Sequence, residues 1–137
     1  MKPRAVASIM TKEVVCVSPS QKLIDVKHIY EKSDFHHHIP VTENDRLVGM
    51  VSLIDFMYRI KGAGLDDSNE IYHKLTVRDI MTPNPYTVAT SASIQEVAEE
   101  LGKGRFRAIP VLEGDKVAGI VSTADVIKYY LQQQKSP

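Results

Sequence analysis

Apolar positions along this chain alternate between strand-like and helix-like spacing, and the whole succession occurs twice. Residues 14–17 form a short apolar run closed by Ser18-Pro19-Ser20, which predicts a first strand. Leu23, Val26, Ile29 and Tyr30 then recur at helical spacing, to about Lys32. Ile39-Pro40-Val41 and residues 47–51 flank Glu43-Asn44-Asp45-Arg46, a turn composition, and predict an antiparallel hairpin. Leu53, Phe56, Met57 and Ile60 give a second helical stripe, which Gly62 and Gly64 are placed to end. The same order returns in Ile94, Val97, Ala98 and Leu101, in residues 109–112 and 117–121 around Glu113-Gly114-Asp115-Lys116, and in Val126, Ile127, Tyr130 and Leu131.

The repeat is measurable. Ile9-Met10-Thr11 reappears as Ile80-Met81-Thr82, an offset of 80 − 9 = 71, and Val17, Leu23, Val26 and Tyr30 meet Val88, Ile94, Val97 and Leu101 at the same offset. From the Pro-containing strands onward it is 109 − 39 = 70, so one residue has been lost within 103–107. Each half reads β-α-β-β-α, an α+β pattern, and neither half alone buries both of its helices. Two halves packed through their sheets are therefore expected. The first repeat is placed at 4–61 and the second at 77–131, with a polar tail at 132–137. The linker, 62–76, carries a helix start at Asp66-Asp67-Ser68-Asn69 and an i,i+4 pair of Glu70 with Lys74. The first helix of the second repeat opens on a capping box, Ser93 with Glu96. Its counterpart has Lys22 at the cap and Lys27 where the second has Ala98, so it is expected to be the less comfortable helix.

Composition narrows the function classes. The chain has 137 residues, 43% hydrophobic and 25% charged, a globular profile. Seventeen basic residues balance seventeen acidic ones, so no net field favours nucleic acid or an anionic membrane. Cys16 is the single cysteine; it permits neither an intrachain disulfide nor a thiolate zinc site and fits a reducing cytoplasm. No signal-peptide run follows the N-terminus and no stretch reaches transmembrane length, so a cytoplasmic location is expected. His36-His37-His38 offers at most two ligands to one side of a strand, with no carboxylate at a convincing spacing, and no metal is assigned.

The chemistry concentrates at two corners. Gly49-Met50-Val51-Ser52-Leu53-Ile54-Asp55 and Gly119-Ile120-Val121-Ser122-Thr123-Ala124-Asp125 each run a strand into a helix, with Ser at the N-cap and Asp in the first turn. A helix N-terminus with a hydroxyl beside it suits an anion. The plain alternative is a capping box that only stabilises the helix, by about 1 kcal/mol. Gly49 and Gly119 leave room for close approach to the backbone.

The doubled Gly-hydrophobic-x-Ser-x-x-Asp corner, with its Ile-Pro-Val strand and Met-Thr opening, resembles the nucleotide-binding motif of cystathionine-β-synthase (CBS) domains. The resemblance covers roughly residues 6–131 and implies a tandem pair, a Bateman module, packed about a pseudo-two-fold axis and commonly a homodimer. It implies adenosine-containing ligands (AMP, ADP, ATP or S-adenosylmethionine) bound in clefts between the repeats, no catalytic cofactor, and signalling to an attached or associated effector protein. Carried onto this chain, it gives the ribose to Asp125 and Asp55. The phosphates fall to Ser122, Ser52, Arg107, His37 and His38. The adenine slot falls to Gly119, Ile120, Gly49, Met50, Ile109, Pro110, Ile39, Pro40, Val15, Cys16 and Thr87. Arg107 is the foremost phosphate candidate, since a guanidinium binds phosphate oxygens bidentately.

The function expected is thus a non-catalytic adenosine-nucleotide sensor; the alternative is a structural or partner-binding module without a small-molecule ligand. An enzyme is disfavoured, because the chain has no Gly-rich P-loop, no H-E-x-x-H and no hydrolase signature.

Overall fold

The computed structural model describes residues 4–32 and 36–135. They gather into two compact units. One is continuous, Val15–Pro85; the other is composite and joins the described residues up to Val14 with those from Tyr86 onward. Both mix helices with a three-stranded sheet, the α+β composition the pattern predicts.

In the continuous unit α1 (Leu23–Tyr30) is followed by the hairpin β1 (His38–Glu43) and β2 (Arg46–Ser52), then α2 (Leu53–Arg59). The short helices α3 (Ile71–Lys74) and α4 (Val77–Ile80) lead to β3 (Thr82–Pro83), which completes a sheet of order β1-β2-β3. The two-residue hairpin loop places Asn44 and Asp45 at φ 54° and 63°. Asn and Asp tolerate that left-handed backbone, which matches the twist of the flanking strands. Gly62, at φ 89°, turns the chain out of the α2 region as expected.

The strand expected at 14–17 is reduced to a single parallel bridge, Val17 to Val41. Only Val17 enters the core, while Val15 and Cys16 are exposed. α1 buries Leu23 and Val26 and has no side-chain N-cap at Lys22. The expected discomfort is relieved from elsewhere in the unit: the Leu75 carbonyl accepts the Leu23 N–H at 3.0 Å. Phe56 in α2 and Ile60 at its C-cap are buried, but Met57 is 58% exposed, contrary to its place in the expected stripe. The core beside Phe56 is filled instead by Tyr72, whose ring centroid lies 6.4 Å away.

The composite unit opens with a 3-10 turn, Val6–Ser8, and continues with β4 (Val88–Ala89), α5 (Ile94–Gly102), β5 (Ala108–Glu113), β6 (Lys116–Ser122) and α6 (Thr123–Lys135). Its sheet has order β4-β5-β6, with β4 parallel to β5 and β5 antiparallel to β6. Ser93 Oγ caps α5 by accepting the Glu96 N–H at 3.0 Å, and Ile94, Val97 and Leu101 are buried. α6 buries only Val126; Ile127, Tyr130 and Leu131, expected as a core stripe, are exposed because only the first turn meets the unit's core. Gln132 to Lys135, expected as tail, continue that helix, and the last two positions lie outside the described residues.

The compact units divide the chain differently from the sequence repeats. Thr11 exchanges both backbone hydrogen bonds with Ile120, at 2.8 and 3.0 Å, and Val6 is fully buried in the composite core. Thr82 in turn pairs with Met50. The Met-Thr opening of each repeat thus completes the sheet formed by the other repeat's hairpin. Among the described residues no helix is long and apolar enough to cross a membrane.

Candidate functional site

The strand pairing builds each corner. In the composite unit Ala108 lies opposite Ser122, so Arg107 arrives at the first turn of α6. Its carbonyl accepts the Thr123 N–H at 3.0 Å and the Thr123 hydroxyl at 3.3 Å. Ser122 and Asp125 form a reciprocal capping box: Asp125 Oδ2 accepts the Ser122 N–H at 2.9 Å, and Ser122 Oγ accepts the Asp125 N–H at 3.2 Å. Within the basic run, Lys103 and Arg105 both bind Glu100, at 3.0 and 3.2 Å. The Lys103 ammonium, more than Arg105, holds the Glu100 carboxyl below its ordinary range. The Arg107 side chain is exposed and has no ion-pair partner among the described residues. Ser122, Asp125 and Arg107, picked from separate stretches of sequence, therefore meet at one helix start.

The first corner has the same backbone and different side chains. His38 lies opposite Ser52, and Ser52 Oγ accepts the Asp55 N–H at 3.0 Å. The Asp55 carboxylate, unlike that of Asp125, accepts no hydrogen bond among the described residues. The His37 carbonyl accepts the Leu53 N–H at 2.7 Å and the Tyr30 hydroxyl at 3.2 Å. Burial first, and then the charge of Asp55, push the Tyr30 phenol well above its ordinary pKa. Sequence reading passed over Tyr30, because a Tyr on a helical stripe looks like any other core residue.

Register also sorts the expected adenine slot. Pro40 pairs with Met50 and Pro110 with Ile120. Ile39, Val41 and Val51, like Ile109, Val111 and Val121, belong to the hydrophobic cores. Alternation places the two Pro-containing pairs on the opposite face of each sheet. The Ile39 and Ile109 side chains are thereby committed to the core, which leaves only their backbone to a ligand. Val17, next to Val15 and Cys16, donates its N–H to the Pro40 carbonyl at 3.0 Å, and Thr87 immediately precedes β4. Desolvation pushes the Cys16 thiol up, away from a reactive thiolate.

The room expected over the two glycines is taken by the chain itself. A Cβ on Gly49 would lie 2.6 Å from Met81 Sδ and 3.1 Å from the Thr82 oxygen, and one on Gly119 would lie 2.5 Å from the Thr11 carbonyl oxygen. These glycines let the Met-Thr segments cross the hairpins. Gly119→Ala is therefore expected to cost about 1–3 kcal/mol, since a paired backbone carbonyl cannot step aside. Gly49→Ala is expected to cost less, because the Met81 side chain can swing away. Urea unfolding of both variants checks this, and equal losses would contradict it.

The structure also assembles a group that the sequence leaves scattered. Lys27, 4% exposed, binds Asp67 Oδ1 at 2.6 Å and Glu31 Oε2 at 2.7 Å, with its ammonium 5.5 Å from the centre of the Tyr72 ring. His28 Nε2 lies 2.9 Å from Asp67 Oδ2, and His73 Nε2 lies 2.6 Å from the Asp67 carbonyl oxygen. Asp67, expected at a helix start, instead fastens the linker to α1. Its hydrogen bond with Lys27 holds its carboxyl below the ordinary range and the ammonium above its own. Ligand atoms of His28, Glu31 and Asp67 lie within 4.8 Å of one another, but both carboxylates already bind the Lys27 ammonium. The one sequence signal was Lys27 itself, a charge on the buried side of a helix.

Known proteins resemble this chain in sequence and in fold. The chain is 31% identical over 130 residues to the protein MJ0188 of Methanocaldococcus jannaschii, a match covering 93% of this chain and 44% of that one. It spans less than half the length of the first curated relatives it matches. The crystal structure of CBSX2, a CBS-pair protein from Arabidopsis thaliana, superposes with a TM-score of 0.81 at 25% identity, covering 99% of this chain and 100% of that one. CBSX2 in complex with AMP superposes with a TM-score of 0.74 at 27% identity, covering 95% and 98%. The sequence profile of the CBS domain matches residues 6–62 and again 77–132. With two copies of that domain in sequence and a CBS-pair fold in structure, this chain belongs to the CBS-domain family.

Proposed function

We propose that this chain is a non-catalytic regulatory module that binds an adenosine-containing ligand, an adenine nucleotide or S-adenosylmethionine, at its two strand-to-helix corners. The observation that carries the reading is the meeting of Ser122, Asp125 and Arg107, which has no ion-pair partner among the described residues, at the start of α6. A carboxylate in the first helical turn can accept both ribose hydroxyls, while the helix N-terminus, Ser122 and Arg107 face phosphate. Asp55 and Ser52, with His37 and His38, play these parts at the first corner. The Pro40–Met50 and Pro110–Ile120 pairs, with Val15, Cys16 and Thr87, offer the apolar setting an adenine needs. The AMP complex of the relative CBSX2 supports the ligand class.

Regulation follows from the cap. A ribose held by Asp125 shares the carboxylate with the Ser122 N–H, so ligand binding acts on the first turn of α6. That helix carries exposed Ile127, Tyr130 and Leu131, and α2 carries exposed Ile54, Met57 and Tyr58, positions suited to a second copy of the chain or an effector protein. The reciprocal capping box favours the second reading, a partner-binding module in which Ser122 and Asp125 only stabilise a helix.

Thermal unfolding with AMP, ADP, ATP and S-adenosylmethionine separates the two. A ligand at a hundred times its dissociation constant is expected to add ~2.7 kcal/mol of stability. If none shifts the transition at millimolar concentration, the partner-binding reading stands instead.

A further inference from the structure

The clasp between α1 and the linker uses only half of its carboxylate oxygens. Lys27 binds one oxygen of each acid, Oδ1 of Asp67 at 2.6 Å and Oε2 of Glu31 at 2.7 Å. The ammonium is itself fixed by burial and by the Tyr72 ring, so it orients both carboxylates. Asp67 Oδ2 instead faces His28 Nε2 at 2.9 Å, and Glu31 Oε1 accepts no hydrogen bond among the described residues. His28 and Glu31 stand three positions apart at the end of α1, where such side chains share a face. Asp67 arrives from the linker, 39 residues beyond His28, and His73 Nε2 holds its carbonyl oxygen at 2.6 Å.

One imidazole and two carboxylates suit a first-row dication such as zinc, whereas magnesium and calcium take oxygen ligands. The three ligand atoms lie within 4.8 Å of one another. Two ligands each about 2.1 Å from one ion stand ~3 Å apart at right angles and ~3.4 Å apart in a tetrahedron. The 2.9 Å between His28 and Asp67 already fits that spacing, and Glu31, an exposed side chain, has only to close on the ion. The charges agree as well. Hydrogen bonds from the Ser68 N–H and hydroxyl hold the Asp66 carboxyl below its ordinary range, beside Asp67 and Lys27. Lys27 offsets one of the three carboxylates Glu31, Asp66 and Asp67, and a dication matches the other two. The second repeat has no such group, since Ala98, Glu99 and Gly102 stand in the places of Lys27, His28 and Glu31.

We infer that His28, Glu31 and Asp67 bind a divalent transition-metal ion of the zinc class, with Lys27 and His73 as positioning residues and water completing the coordination. The ion takes the place of the hydrogen between His28 Nε2 and Asp67 Oδ2, leaves both Lys27 bonds standing, and pins the end of α1 to the linker. None of these residues belongs to either strand-to-helix corner, so the metal site and the adenosine reading stand or fall separately.

Calorimetric titration of the full chain with zinc chloride tests the site, with magnesium chloride as the comparison. Zinc is expected to bind the unmodified protein and magnesium to give no binding heat. His28→Ala and Glu31→Gln are each expected to weaken zinc by about tenfold or more. The Gln side chain still offers Lys27 an acceptor, so the clasp persists in that variant. Zinc is also expected to raise the thermal unfolding midpoint of the unmodified protein and to leave that of His28→Ala in place. Unchanged zinc affinity in either variant overturns the inference, as does an affinity lost on replacing His36 and His38 by Ala instead. Absence of zinc binding at about 1 mM overturns it too.

Discussion

Tyr72→Ala is expected to destabilise the continuous unit by about 3–5 kcal/mol, the largest loss of any single truncation in that core. Tyr72 is fully buried, the largest such side chain among the described residues, and stacks against Phe56. Its hydroxyl donates to the Gly64 carbonyl at 2.9 Å, and its ring lies under the Lys27 ammonium. Truncation opens a cavity, loses the hydrogen bond that fixes the chain after α2, and removes the aromatic face from a cation already withdrawn from water. Tyr72→Phe separates these effects, since it keeps the ring and is expected to cost about 1 kcal/mol. Urea unfolding followed by circular dichroism gives both values. A loss under about 1 kcal/mol for Tyr72→Ala would mean that the linker does not form part of that core.

Loss of either corner aspartate is expected to weaken a ribose-bearing ligand at that corner by about a hundredfold, as two hydrogen bonds to a charged acceptor are worth about 3 kcal/mol or more together. Stability divides the pair. Asp125→Ala also removes the acceptor for the Ser122 N–H and is expected to cost about 1 kcal/mol in unfolding free energy. Asp55→Ala is expected to leave stability nearly unchanged, because the Ser52 cap uses the Asp55 backbone N–H and not its carboxylate. Titration with AMP beside urea unfolding reads both effects. Unchanged affinity in Asp125→Ala together with a stability loss would show a cap and nothing more.

Much of this molecule is legible in its sequence. The doubled corner, the Pro-containing hairpins, the cap at Ser93 and the turn at Asn44-Asp45 are local consequences of residue type and spacing, and the structure contains each of them. The failures have a common cause. Residues 14–17 read as a strand, yet strand formation needs partners, and only Val17 reaches one. Met57, Ile127, Tyr130 and Leu131 have helical spacing, but spacing says which positions share a face and not whether anything covers that face. Gly49 and Gly119 looked like space for a ligand, while their absent Cβ atoms serve Met81 and the Thr11 carbonyl.

The site divides in the same way. By itself the sequence determined that two Ser-x-x-Asp corners exist, that each follows a Gly-bearing strand, and that basic residues cluster before the second Pro, since all of these are short-range patterns. Only the tertiary structure decided which of three cations has no ion-pair partner among the described residues, because Lys103 and Arg105 pair with Glu100 through geometry that the order of residues does not express. Tertiary structure likewise brought Tyr30 to the His37 carbonyl, Asp67 to the buried Lys27, and each Met-Thr opening to the other repeat's hairpin. Such contacts join residues far apart in the chain, and their energy depends on distance and desolvation, quantities that exist only once the chain has folded.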